Sequence, residues 1–223
     1  MSISVGIVQS AYLPWKGYFD IINRSDKFVF FDSVQFSKRS WVTRNRIKSP
    51  LGTRWISVPV SGTTTKSIDE IKISETNWLD SHIATLRQSY SSTEHYSSIE
   101  SIIIEASSKF EGTISSFNQE FISLVCKYLS IETELINVRD IEHNGQRTEL
   151  LISICKELGA TKYISGPAAK SYIKGEFQES GIDLEWMDYS NYPEYEQLHG
   201  EFEHQVSMVD LISMKGDKAT DYF

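Results

Sequence analysis

Cysteine is almost absent from this chain. Cys126 and Cys155 are the only two, too few for a disulfide scaffold or a four-ligand zinc site. Long apolar runs are also missing. No stretch approaches the roughly 18 residues that a membrane helix needs, so a spanning protein is excluded. The first ten residues carry no Lys or Arg ahead of the strand-like Val5-Gly6-Ile7-Val8, and without a charged leader the expectation is a cytoplasmic protein. Three motifs are lacking: Gly-x-Ser-x-Gly, the Walker loop and Gly-x-Gly-x-x-Gly. Hydrolase, kinase and dinucleotide readings are therefore without their signatures. Acidic residues vanish from one segment. Lys38, Arg39, Arg44, Arg46, Lys48, Arg54 and Lys66 lie between Asp32 and Asp69 with no carboxylate among them. This stretch carries +7 in a chain of net charge -8, so the remainder carries -15.

That asymmetry has a consequence for partners. A body that repels anions, with one concentrated cationic segment, is suited to a small phosphate- or carboxylate-bearing ligand held there. Nucleic acid needs a wider basic field and is not expected.

What is present is a core: 40% of the 223 residues are hydrophobic and 12% aromatic, with 5 Trp, 11 Tyr and 11 Phe. That is enough for one α/β domain spanning 1–223. Residues 3–9 read as a buried strand. Trp15, Tyr18, Phe19, Ile21 and Ile22 recur at helical spacing, and 27–31 returns to a continuous apolar run. Strand, helix, strand is a βαβ unit and predicts an open, mostly parallel, Rossmann-like sheet. Residues 54–60 and 68–73 read as further strands. Residues 78–90 and 99–129 are helical in pattern, forming a helical insertion at about 76–130. Near the end, strand 134–138, helix 149–158 stopped by Gly159, and strand 162–165 repeat the crossover. Residues 184–187 and a last helix at 205–213 complete the chain.

Two polar segments follow apolar strands, and in a parallel sheet such turns face the ligand crevice. The first runs from Gln9 to Phe19. In it Lys16, at a helix start, is placed to neutralise an anion, and Gly17 allows close backbone approach. The second runs from Asp32 to Ile47. There Gln35, Lys38, Arg44, Asn45 and Arg46 offer an amide, a cation and planar bidentate donors for phosphate or carboxylate oxygens. Tyr12, Trp15, Tyr18 and Trp41 supply rings. His82, on the 78–90 helix, is the best candidate general base, because imidazole titrates near neutrality. Ser165-Gly166-Pro167 closes the second crossover at the same sheet edge, and Tyr189, Tyr192 and Tyr195 crowd the next loop. His199 and His204, five apart with no Cys or third His nearby, do not suit a metal. Cys126 and Cys155 sit among apolar residues at helical spacing and read as unreactive core.

The succession Gln9, Tyr12-Leu13-Pro14-Trp15, Gly17-Tyr18-Phe19, Asp32, Gln35-Phe36, Trp41, Arg44-Asn45-Arg46-Ile47, Val58-Pro59-Val60, Trp78 with His82, Ser165-Gly166-Pro167 and Tyr192-Pro193 resembles the WbqC-like family of bacterial proteins over essentially the whole chain. Ser10 and Val42-Thr43 depart from that pattern. The resemblance implies a place in O-antigen and related surface-polysaccharide biosynthesis. The expected substrate is a nucleotide-linked sugar, and an acyl or aminoacyl group from an acyl donor would go to its amine. In that reading His82 or Asp32 takes the proton, the segment with Lys38, Arg44 and Arg46 holds the anion, and Gln9, Gly166, Pro167 and Tyr192 line the site. No metal is expected, and the sequence names no cofactor. A non-catalytic sugar-nucleotide or glycan-binding module would share these residues without needing a base. Pro14-Trp15-Lys16-Gly17-Tyr18 is also similar to the His-x-Gly-His turn of nucleotidylyltransferase-type (HUP) folds, with both His positions aromatic. That similarity implies a degenerate member without the adenylyl-transfer machinery.

Overall fold

The computed structural model describes residues 2–62, 64–75 and 77–223. In chain order its elements are β1 (Ser4–Val8), α1 (Lys16–Arg24), β2 (Lys27–Phe30), β3 (Arg44–Ser49), β4 (Gly52–Ser57), β5 (Val60–Ser61), β6 (Lys72–Ile73), α2 (Trp78–Tyr90), α3 (Tyr96–Lys109), α4 (Ile114–Tyr128), β7 (Glu134–Asn137), α5 (Thr148–Glu157), β8 (Lys162–Ser165), α6 (Glu176–Glu179), β9 (Asp183–Trp186) and α7 (Met208–Lys215). They gather into two compact units. One holds Met1–Gln9, Gly17–Phe31 and Ile131–Asn191, and the other Ser10–Lys16, Asp32–Ser130 and Tyr192–Phe223.

The first unit is an open five-stranded sheet in the order β7-β2-β1-β8-β9, parallel throughout. This is the α/β, Rossmann-like class that two βαβ crossovers demand. Its core joins Val5, Ile7 and Val29 of the strands to Leu151, Ile154 and Cys155 of α5 and to Tyr163 and Phe177. Helix α1 packs so closely on β1 that a Cβ on Gly6 would lie 2.9 Å from both Ile21 Cγ2 and Ser25 Oγ. Only glycine fits there. Helix α5 ends as its sequence predicts, with Gly159 at φ +68° just past the last turn. The strand order reverses where β1 meets β8, so Gln9 and Gly166 follow neighbouring strands at the same C-terminal edge.

The second unit is helical, with a hairpin. Strands β3 and β4 pair antiparallel from Arg44↔Ser57 to Ser49↔Gly52. Buried Leu86, Tyr90, Ile99, Ile103, Phe117, Phe121 and Val125 supply the core of α2, α3 and α4, and Met208, Val209 and Ile212 that of α7. Three expectations change here. Residues 44–49 form a strand, not part of a binding loop. Residues 68–73 are a 3-10 turn (Ile68–Glu70) followed by the two-residue β6, because Ser67 and Glu70 form a reciprocal capping box that starts a helical turn. The 99–129 pattern is two helices, broken where Gly112 takes φ +84° and Thr113 Oγ1 caps α4 by accepting from Ser116 N.

Candidate functional site

The segment 10–16 is held in an uncommon shape by residues distant in sequence. Leu13 adopts φ +43°, a left-handed conformation that a branched side chain rarely takes. Asn45 fixes it from the buried side of β3, donating Nδ2 to Tyr12 O (3.1 Å) and Leu13 O (2.9 Å). Tyr12 N donates to Trp41 O, and Met208 N to Pro14 O. At the start of the segment, Ser10 N donates to Asp32 Oδ1 (2.8 Å), while Ser115 Oγ (2.5 Å) and Gln119 Nε2 (3.0 Å) donate to Asp32 Oδ2. Asp32 is wholly buried, and its acceptors are engaged by these three donors.

His82 is likewise an interior residue, 8% exposed. Its Nδ1 lies 2.6 Å from the Tyr12 hydroxyl, and its ring packs with Tyr12 and Trp78. Burial lowers the imidazole's pKa, partly offset by a hydrogen bond to the Ser57 backbone. Burial also raises the Tyr12 phenol well above its ordinary value. The phenol thus keeps its proton and donates to a neutral imidazole. Asp32, Asn45 and His82 all shape 10–16; this geometry suits holding a loop better than meeting a ligand.

The β3–β4 hairpin carries the exposed chemistry. Side chains alternate along β3, so Asn45 and Ile47 turn inward while Arg44, Arg46 and Lys48 share the opposite face. Trp55, directly across from Arg46, joins that face. Residues 201–205 take two of the three cations: Arg46 donates to Gln205 O (Nη2, 2.9 Å) and pairs with Glu203 (3.5 Å), and Lys48 Nζ donates to Glu201 O. The Arg44 guanidinium instead lies over the Trp55 ring, 4.2 Å from its centroid. Its Nε is buried and without a hydrogen-bond partner among the described residues, as is Ser40 Oγ. Trp41 packs on Trp55 with ring centroids 5.2 Å apart, yet Trp41 is 51% and Trp55 44% exposed. Two large exposed rings thus flank a half-buried planar cation whose Nε has no partner among the described residues, with Lys38, Arg39 and Arg54 exposed in the same segment.

Lys16 has a different setting. It is 2% exposed, donates Nζ to Pro193 O (3.1 Å), and is surrounded by the rings of Tyr192 (4.9 Å), Tyr195 (5.5 Å) and Phe202 (5.9 Å). Loss of water lowers its pKa to about 8 against the opposing pull of Glu194. His204 packs edge-on against Phe202.

The residues expected to form one crevice are therefore sorted by the fold. Trp41 and Arg44 form the exposed face, with Lys38 exposed nearby in the chain. Arg46 is occupied by 203–205. Gln35 is exposed, donates Nε2 to Thr64 O and bridges to Ser67. Trp15 is half-buried beside Tyr192. Tyr18 is a core residue of the first unit: its ring packs on Phe19 and Phe28, and its hydroxyl donates to Gln9 O. Gln9 and Pro167 are exposed, and Gly166 half-buried, at the sheet edge of that unit. Trp55, Phe202 and His204 were not singled out as site residues in the sequence. Trp55 follows Arg54 in the acid-free segment, and strand pairing sets it across from Arg46, on the face that Arg44 shares. Cys126 and Cys155 are buried, and desolvation pushes both thiols up to about 12.

The chain thus combines an α/β, Rossmann-like unit with a unit whose hairpin carries an exposed aromatic and cationic face. The chain belongs to the WbqC-like protein family, whose family model matches residues 9–222. It is 40% identical over 222 residues to an uncharacterized protein of Mycobacterium tuberculosis (strain ATCC 25618 / H37Rv), Rv1507c, covering 98% of this chain and 96% of that one. No solved structure matches. Among the described residues, no helix is long and apolar enough to cross a membrane.

Proposed function

We propose that this protein binds a nucleotide-linked amino sugar in bacterial surface-polysaccharide biosynthesis and transfers an acyl or aminoacyl group to its amine. The supporting observation is the Arg44 guanidinium stacked on exposed Trp55 beside Trp41. Indole faces accept a nucleobase or the C–H face of a sugar, and a planar cation with open donors accepts diphosphate oxygens. The acid-free segment around them favours an anion. The surface-polysaccharide setting comes from the family resemblance.

One observation favours a second reading, a non-catalytic binding module. His82 and Asp32, the expected proton acceptors, are both committed to interior hydrogen bonds. Incubation of the protein with a uridine-diphosphate-linked amino sugar and a coenzyme A thioester, followed by mass spectrometry of the sugar, separates the readings. Product that disappears in Arg44→Ala supports the transferase. Arg44-dependent binding with no product supports the module. Absence of binding defeats both.

A further inference from the structure

We propose that Glu203 is a specificity-determining residue of the Arg44 face. Its carboxylate stands on Arg46 in the place of a second phosphate, so the site takes a diphosphate ester in preference to a monophosphate. This rests on the reading of that face given above and deepens it.

Arg44 and Arg46 are two apart on one side of β3, so their backbones are separated by roughly 6.7 Å and both guanidinium groups rise from the same face. Planar forks at that spacing suit two neighbouring phosphate groups better than one. Their surroundings differ. Arg44 Nε has no hydrogen-bond partner among the described residues, whereas Arg46 donates Nε (3.1 Å) and Nη2 (2.9 Å) to Gln205 O and faces Glu203 Oε2 at 3.5 Å. That ion pair is longer than an ordinary N–H···O bond and reaches solvent, with side chains 22% and 34% exposed. A bidentate phosphate contact is the stronger interaction and can replace it.

The fold builds the placement of Glu203. The stretch from Tyr192 to Ser207 has no helix or strand, and irregular segments longer than about 12–15 residues are usually functional. Within it Gln197 clamps the Glu203 backbone from both sides, accepting from Glu203 N at Oε1 (2.9 Å) and donating Nε2 to Glu203 O (3.0 Å). Gln197 Nε2 is itself anchored on Oδ1 of the wholly buried Asp210 (2.9 Å). Gln205 N then donates to Glu203 Oε1 (2.8 Å), which leaves Oε2 to face Arg46. A carboxylate held in this way neutralises one cation of the pair in the free protein. Only a ligand with a second anionic group gains from displacing it.

The test is calorimetric titration of uridine monophosphate and uridine diphosphate, at low salt, into the wild type, Glu203→Gln, Arg46→Ala and Arg44→Ala, each first shown to melt cooperatively. Gln at 203 keeps an acceptor for Gln205 N and a similar volume but removes the charge that competes with the ligand. The wild type should bind the diphosphate more tightly. In Glu203→Gln that preference should grow roughly two- to fivefold, the scale of one partly exposed ion pair, because the diphosphate tightens while the monophosphate barely changes. In Arg46→Ala the preference should largely disappear; should that variant not fold, Glu203→Gln decides alone. If Glu203→Gln leaves the ratio of the two affinities unchanged, or strengthens both nucleotides alike, the inference is overturned, and the reading of the face survives where Arg44→Ala still weakens both. If neither nucleotide binds any of the proteins, the two fall together.

Discussion

Removing the Asp32 carboxylate tests whether the buried network shapes the loop that carries Trp15 and Lys16. In Asp32→Ala, Ser10 N, Ser115 Oγ and Gln119 Nε2 lose their shared acceptor. These losses are unequal. Gln119 Nε2 keeps an acceptor in Ser115 Oγ, 3.0 Å away, and the Ser115 hydroxyl can rotate toward another acceptor. Ser10 N has no such substitute in a fully buried position. One orphaned buried donor costs about 1–3 kcal/mol, and the small cavity adds about 1 kcal/mol. The expected loss is about 2–4 kcal/mol, a large share of a typical domain's 5–15 kcal/mol. Asp32→Asn keeps an acceptor for Ser10 N and a similar volume, so its loss should be about 1–2 kcal/mol. Urea unfolding measures both, with an unchanged slope showing that the denatured state is the same. An Asp32→Ala variant within 0.5 kcal/mol of wild type would refute the reasoning.

Three further outcomes follow from the same packing. Gly6→Ala should destabilise by about 1–3 kcal/mol, since its Cβ would press on Ile21 and Ser25; an unchanged melting temperature would contradict the close α1–β1 contact. His82 has a folded-state pKa below its unfolded value near 6.5, so the unfolded chain binds more protons as pH falls through 6.5 towards the folded value. Its contribution is complete above 6.5 and lost on acidification, and His82→Gln should flatten that part of the stability curve. Cys126 and Cys155 should react with a thiol reagent only after unfolding, and rapid labelling of the native chain would contradict their raised pKa values.

Much of the parallel sheet was legible in the sequence because buried strands advertise themselves: Val5 to Val8 and Phe28 to Phe30 are continuous apolar runs, and Gly159 marks a helix end. Strand β3 was not legible. Arg-Asn-Arg-Ile-Lys-Ser has one apolar residue in six, and its extended form rests on pairing with β4, a tertiary effect that overrides local propensity. The same limit governs the site. Arg44, Asn45 and Arg46 read as one anion-binding cluster, yet the period of two turns Asn45 inward, and residues 201–205, far along the chain, claim Arg46. Lys16 was singled out as a residue placed to neutralise an anion. Its neighbours Tyr192, Tyr195 and Phe202 lie more than 170 residues away, so no local pattern reveals that it meets rings where an anion was expected.

The central claim is that Arg44 and the Trp41–Trp55 pair form a ligand-binding face. Calorimetric titration of a uridine-diphosphate-linked amino sugar into the wild type, Arg44→Ala and Trp55→Ala tests it most directly. Stacking and a charge-assisted contact are each worth about 1–3 kcal/mol, so each substitution should weaken binding roughly five- to a hundredfold, and higher salt should weaken the wild type more than Arg44→Ala. Equal affinity in all three proteins, or no binding to the wild type, would contradict the account.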